Sequence, residues 1–201
     1  MSHLSPPSKK FASLTLPYAE IDAADLLRIS NFESGEPFFG KSKKNRFDDR
    51  RKLSKAKRFG TCYTGFSLNC AFAETVLHNR TAVGGEFLLP VEELERWVVT
   101  FEPAPLAIAV LIGPELKTMG ADGSISTISP YVLPGQWSAA VHEHPANVDG
   151  LAYMSKHCND QLAVVLFDRA KPKLAVADYV PLVDYPGALR TYLDFHVRIK
   201  Y

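Results

Sequence analysis

The sequence predicts an α+β fold, with a small mixed sheet and flanking helices. Short apolar runs rich in β-branched residues, which are typical of buried strands, recur along the chain. Segments with the apolar spacing of helices fall between these runs without regular alternation, which disfavours a doubly wound fold. A length of 201 residues and a hydrophobic fraction of 46% fit a single globular domain.

The N-terminal part of the chain predicts an extension over residues 1–43. Within it, residues 18–30 predict a helix, because apolar residues such as Ile21 and Leu26 fall roughly on one side. We expect this helix to pack on the core of a globular domain that spans residues 44–201.

The stretch from Arg46 to His78 organises the rest of the chain. A basic loop leads into a short strand over residues 60–66, and a helix follows with Ser67 as a favourable N-cap. This helix carries Glu74 in an otherwise mostly apolar run. A buried carboxylate is costly unless it has a partner or a function, but a solvated carboxylate on the polar side of the helix fits the pattern too.

The remaining elements follow from short apolar runs and from turn residues. Strands are predicted over 97–101, 106–112, 150–154, 161–167 and 173–180. Helices are predicted over 113–119, 134–144 and 187–197, and residues 87–99 combine a short strand with a further helix.

The charge distribution is uneven although the net charge is only +1. Residues 41–58 hold ten of the 23 Lys and Arg residues, but Asp48 and Asp49 interrupt this run. Three cysteines without paired spacing fit a reducing cytoplasm rather than a disulfide framework. With no apolar run of 18 residues or secretory leader, we expect a cytoplasmic protein without a membrane span.

Several familiar chemistries have no motif in this chain. The phosphate-binding P-loop, the dinucleotide-binding glycine pattern and the GxSxG nucleophile elbow are all missing from the sequence. The triplet His142-Glu143-His144 suggests a metal site, but residues two apart on a helix point to different faces. We therefore predict no metal.

Three sequence blocks form a recognisable combination. The first is Asn45-Arg46-Phe47. The second joins Cys62-Tyr63-Thr64 to Cys70-Ala71-Phe72-Ala73-Glu74-Thr75, and the third runs from Val148 to Ser155 before an apolar strand. In this order the blocks resemble the RES family, the toxins of RES–Xre toxin–antitoxin pairs. The Arg, Glu and Ser that name the family correspond to Arg46, Glu74 and Ser155. The resemblance implies an ADP-ribosyltransferase-like fold in which the sheet surrounds an NAD cleft.

The resemblance also implies an activity that consumes NAD by breaking the nicotinamide–ribose bond. Glu74 would then stabilise the positively charged ribose that forms in the transition state. Arg46 suits the pyrophosphate of NAD or an attacking inorganic phosphate, because a guanidinium meets two oxygens at once. Its neighbours Arg50, Arg51 and Arg58 are candidate helpers in this binding.

Two further residues complete the predicted site. Tyr63 could stack on nicotinamide or donate its hydroxyl, and Ser155 could hydrogen-bond ribose or phosphate. Ser155 has no adjacent base in the sequence, so we do not interpret it as a nucleophile. Structural roles stay open: Arg46 as a surface cation, Tyr63 as a core aromatic and Ser155 as a cap.

Three functions remain open from the sequence. The resemblance implies a growth-inhibiting NAD phosphorylase or glycohydrolase, with NAD as substrate and, for the phosphorylase, inorganic phosphate as co-substrate. An ADP-ribosyltransferase acting on a cellular protein would use the same cleft. A non-enzymatic protein could instead bind nucleic acid or a partner through loop 41–58, although the near-neutral net charge gives no reason to expect direct DNA binding. The resemblance implies an Xre-type helix-turn-helix antitoxin as partner and leaves a homodimer open.

Overall fold

The computed structural model describes residues 4–200, and their main elements are strands β1–β10 and helices α1–α4. The strands span Tyr18–Asp22, Leu27–Ser30, Thr61–Gly65, Phe87–Pro90, Trp97–Phe101, Pro105–Leu111, Gly150–Met154, Leu162–Phe167, Val176–Pro181 and Val197–Lys200. The α-helices span Leu68–Thr75, Gly113–Thr118, Val132–His142 and Ala188–Asp194.

The architecture is α+β, as predicted, and it is built on one large sheet. Eight strands follow the order β1-β6-β7-β8-β3-β2-β5-β9, while β10 and β4 form a separate parallel pair. Within the large sheet β6 and β7 run parallel and the other pairs run antiparallel. The sheet is therefore mixed but larger than the small sheet that the sequence predicts.

The large sheet is covered on both faces. Alternate residues of β8 contribute to different clusters: Val165 packs in the cluster with Trp137 of α3, whereas Val164 packs in a second cluster with Cys62. A third cluster joins α1 to the β2–β5 side of the sheet through Phe72 and Ile29. This two-sided burial explains why the central strands are nearly continuous apolar runs.

The predicted helix over residues 18–30 is wrong, because this segment forms β1, a short 3₁₀ turn and β2. The carboxylate of Asp22 accepts hydrogen bonds from the amides of Ala24 at 3.0 Å and Ala104 at 2.9 Å, which fixes the break between the strands. β2 then lies between β3 and β5, so Leu27 and Ile29 become buried by long-range pairing. Both N-terminal strands thus belong to the central sheet.

The C-terminal helix is shorter than predicted. α4 ends at Asp194, and His196 adopts a positive φ of 49°, which is outside the helical region. The following residues form β10, a strand that pairs in parallel with β4. The helix predicted within residues 87–99 is a 3₁₀ turn over Val91–Leu94.

Helix α1 follows the prediction closely. The Ser67 hydroxyl accepts a hydrogen bond from the amide of Cys70 at 3.1 Å, as expected of an N-cap. The apolar face is buried through Leu68, Ala71 and Phe72, so the helix is anchored on the sheet just before it presents Glu74. Across residues 4–200, none of the helices has the length and apolarity needed to span a bilayer.

Candidate active site

The sheet order brings Glu74 and Ser155 together. β8 lies between β3 and β7 and runs antiparallel to both, so β3 and β7 end at the same edge of the sheet. Helix α1 starts just after β3, and Ser155 directly follows β7. Residues far apart in sequence therefore meet where two strands end.

A direct hydrogen bond joins the two side chains. Ser155 Oγ donates to Glu74 Oε1 at 2.6 Å, and Ser155 is only 1% exposed. The same Oγ accepts from the amides of His157 at 3.2 Å and Cys158 at 2.9 Å. Ser155 thus caps the turn after β7 and also holds the partly buried Glu74 carboxylate in one orientation.

Tyr63 on β3 holds the loop that carries Arg46. Its hydroxyl accepts from the Phe47 amide at 2.9 Å and donates to Asp48 Oδ1 at 3.3 Å. Burial, with the neighbouring Asp48 charge, raises the pKa of Tyr63 well above its usual value. The phenol therefore stays protonated at neutral pH and positions the loop rather than acting as a base.

Arg46 is the most deeply placed cation of the basic loop, with 8% exposure. Nη1 donates to the carbonyl of Ile128 at 2.7 Å, and the guanidinium carbon lies 4.5 Å from the centre of the Tyr131 ring. These contacts fix the plane of the guanidinium. A fixed fork can bind two oxygens of a phosphate with little further loss of entropy.

Glu74, Tyr63 and Arg46 line one cleft with a volume of about 390 Å³, whereas the buried Ser155 is not part of its lining. Such a volume lies within the usual range for small-molecule sites, roughly 300–1,000 Å³. Besides Glu74, the lining combines three cations, three aromatic side chains and two imidazoles: Arg28, Arg46, Lys156, Phe38, Tyr63, Tyr153, His78 and His157. The cleft is therefore suited to an anionic ligand that carries an aromatic ring.

The other three arginines of the prediction lie outside this lining. Arg51 is paired with Asp49 at 2.7 Å and with Glu143. Arg50 lies 5.7 Å from the same Tyr131 ring that stacks under Arg46, and Arg58 is partly buried. Their role in NAD binding stays a prediction, and their contacts favour a structural one.

Two buried carboxylates shape the basic loop. Asp48, 1% exposed, accepts from Thr61 Oγ1 at 2.7 Å, Ser42 Oγ at 2.8 Å and the Asn45 amide at 3.1 Å. Burial alone would raise the pKa of Asp49, but the hydrogen bonds and charge of Arg51 outweigh burial and lower it. The loop is consequently a folded part of the cleft wall. This weakens the alternative in which it is a solvated nucleic-acid contact.

The triplet 142–144 does not converge on one point. His142 stacks on the Phe59 ring with the centroids 4.2 Å apart, Glu143 pairs with Arg51, and His144 Nε2 lies 3.1 Å from the carbonyl of Leu14. Burial, together with the charge of Arg169, lowers the pKa of His142 to about 4. These histidines are packing residues of the core.

Sequence reasoning did not identify Arg28, His78 and His157. Arg28 lies on β2, where its Nη1 donates to the carbonyl of Tyr63 at 2.9 Å, but the sequence placed it on a helix. Burial lowers the pKa of His157, as does the charge of His78, against the opposing effect of Glu74. Glu74 and His78 are four residues apart, a spacing that brings two side chains together on one face of a helix. This spacing is the sign in the sequence that His78 lies near Glu74.

The fold and cleft define an α+β protein that presents a carboxylate, aromatic rings and several cations around one cleft. The chain matches the RES domain family over residues 25–188, and it belongs to that family. Over 90 residues it is 33% identical to "Probable toxin y4kH" of Sinorhizobium fredii (strain NBRC 101917 / NGR234), covering 45% of this chain and 70% of the relative.

The fold has a solved counterpart. A chain of the M. tuberculosis MbcT–MbcA toxin–antitoxin complex is similar with a TM-score of 0.58 at 13% identity, over 89% of this chain and 91% of that chain. At this identity the similarity shows the fold alone. It agrees with the mixed sheet and few helices described above.

Proposed function

We propose that this protein is a toxin that consumes NAD by cleaving its nicotinamide–ribose bond. The observation that carries the proposal is the Glu74 carboxylate in the wall of a cationic cleft, held by a 2.6 Å hydrogen bond from buried Ser155. A carboxylate held in this way can stabilise a positively charged transition state. The name of the Sinorhizobium relative, a probable toxin, supports the toxic role.

The chemistry assigns one task to Glu74. The C–N bond breaks with its electron pair leaving on neutral nicotinamide, and the ribose develops oxocarbenium character. A carboxylate beside the ribose stabilises that charge, or holds a ribose hydroxyl more tightly in the transition state. Oxygen of phosphate or water then bonds to the ribose carbon and gives ADP-ribose or its phosphate ester. In the transferase alternative a protein side chain takes this place.

The cations and aromatic rings of the cleft would bind NAD. Arg46 supplies a planar guanidinium group for the pyrophosphate, and the exposed Lys156 adds a mobile charge. Arg28 also lines the cleft, but its Nε is paired with Glu36 at 2.9 Å. Phe38 is 63% exposed at the cleft and offers a face for a nucleobase or nicotinamide ring. Together these groups match a dinucleotide with a dianionic pyrophosphate better than a neutral metabolite.

An antitoxin completes the proposal. A toxin that depletes NAD would harm its own cell, and the structural neighbour comes from a toxin–antitoxin complex. We propose a partner that covers the cleft, and the resemblance implies an Xre-type helix-turn-helix protein. Formation of a homodimer is a separate prediction that light scattering of the purified chain would test.

We expect that replacing Arg46 by lysine lowers kcat/KM for NAD by roughly 10- to 100-fold. This factor corresponds to the loss of one hydrogen bond to a charged group, which contributes about 1.5–3 kcal/mol. Lysine keeps the charge but loses the planar fork and the contact with Tyr131. Steady-state kinetics of nicotinamide release would measure the effect. Arg190→Lys, at an exposed position of α4, is the matched control. An unchanged kcat/KM would remove Arg46 from the site.

The acceptor is decided by product analysis. Purified protein is incubated with NAD, with and without inorganic phosphate, and the products are identified by mass. Phosphorylated ADP-ribose identifies a phosphorylase, and free ADP-ribose identifies a glycohydrolase. If NAD is consumed only with cell extract and a protein gains ADP-ribose, the transferase alternative is correct. Survival of NAD in all three conditions would contradict the proposed function.

A further inference from the structure

Glu74 has a second set of neighbours that the proposed reaction does not use. Glu74, His78 and His157 each offer a ligand atom, and these atoms lie within 4.8 Å of one another. The two imidazole rings are tilted against each other with their centroids 4.6 Å apart. One carboxylate oxygen and two imidazole nitrogens are the donor set that holds zinc in many enzymes, with one position left open.

The local fold assembles this set from two segments. Glu74 and His78 are four residues apart, across the end of α1, and His157 lies in the turn that Ser155 caps. The hydrogen bond from Ser155 to Glu74 ties the two segments together, so the three donors are held in place without a metal. All three are partly buried and open to the cleft, so an ion can enter.

One imidazole nitrogen of this set is free to bind an ion. Nδ1 of His78 is buried and has no hydrogen-bond partner among residues 4–200. A buried polar atom without a partner gains from binding a ligand. The nearby Lys156 is exposed on a flexible stem, so its charge can move away from an incoming cation.

We propose that Glu74, His78 and His157 form a binding site for a divalent transition-metal ion of the zinc type. Binding makes the Glu74 carboxylate a metal ligand and removes it from the ribose. A free divalent ion would then inhibit the enzyme reversibly. This consequence for activity rests on the proposed function, whereas the metal site itself does not.

The test measures Zn²⁺ binding to the metal-free full-length chain by calorimetry, and Co²⁺ binding by visible absorption. We expect one ion per chain, and we expect His78→Asn, His157→Asn and Glu74→Gln each to weaken binding by at least about tenfold. His196→Asn is the matched control, because His196 is exposed, lies outside the cleft lining and has a positive φ that Asn tolerates. Thermal unfolding without metal checks that each variant folds.

Each result decides the proposal. Absence of a one-to-one site in the wild type, or affinity that none of the three substitutions changes, would overturn it. Inhibition of nicotinamide release by Zn²⁺ should shift to at least about tenfold higher concentration in His157→Asn, as expected for loss of a ligand. If the wild type releases no nicotinamide at all, the proposed function fails, while calorimetry still decides the metal site.

Discussion

Glu74→Gln is expected to lower kcat for NAD cleavage by about 10²–10³-fold, the usual effect of removing one group that stabilises transition-state charge. Glutamine keeps the shape and can still accept the hydrogen bond from Ser155, which is 2.6 Å long in the wild type. It loses the negative charge that the developing oxocarbenium needs. Since ground-state contacts to NAD persist, KM should change far less than kcat.

The control for this substitution is Glu20→Gln, which removes a carboxylate from the exposed strand β1. Nicotinamide release by both variants is followed at saturating NAD, and thermal unfolding confirms that both fold. In cells, growth arrest on induction should disappear with Glu74→Gln and persist with the control. Wild-type kcat in Glu74→Gln would show that this carboxylate is not the catalytic one.

Asp48→Ala is expected to cost about 3 kcal/mol or more of unfolding free energy. The substitution leaves the hydroxyls of Ser42 and Thr61 and the amide of Asn45 without their acceptor. Each buried donor left unsatisfied costs about 1–3 kcal/mol, although some will recruit water. For a chain of this size the melting temperature should fall by roughly 6–12 °C.

The same substitution should also reduce NAD cleavage, because Asp48 anchors the loop that positions Arg46. Asp25→Ala, at an exposed position in the N-terminal 3₁₀ turn, is the matched control and should unfold like the wild type. Calorimetric unfolding of the three proteins is the measurement. A melting temperature of Asp48→Ala within a degree or two of the control would show that the loop is held by other contacts.

Local signals predicted helix α1 well. Ser67 caps α1 as its residue type suggests, and the apolar spacing of α1 placed its buried face correctly. The family motifs also picked Glu74 and Ser155, which form a direct hydrogen bond although they lie on different elements. Spacing alone could not have shown this contact, because it depends on β8 lying between β3 and β7.

Long-range pairing explains what local signals missed. The apolar residues of β2 satisfy a helical pattern equally well, and only pairing with β3 and β5 makes the segment a strand. In the sequence Asp48 only interrupts a basic run. In the structure its carboxylate accepts hydrogen bonds from residues that lie before and after it in the chain. His157 meets His78 only after the sheet has formed.

The most direct test of the account is whether the purified full-length chain releases nicotinamide from NAD. The assay holds NAD and inorganic phosphate with metal-free protein and follows nicotinamide by chromatography. The proposed role of the Glu74–Ser155 pair predicts steady release over many turnovers. NAD that remains intact in this assay and also with cell extract would contradict the claim that the cleft is an NAD-cleaving active site.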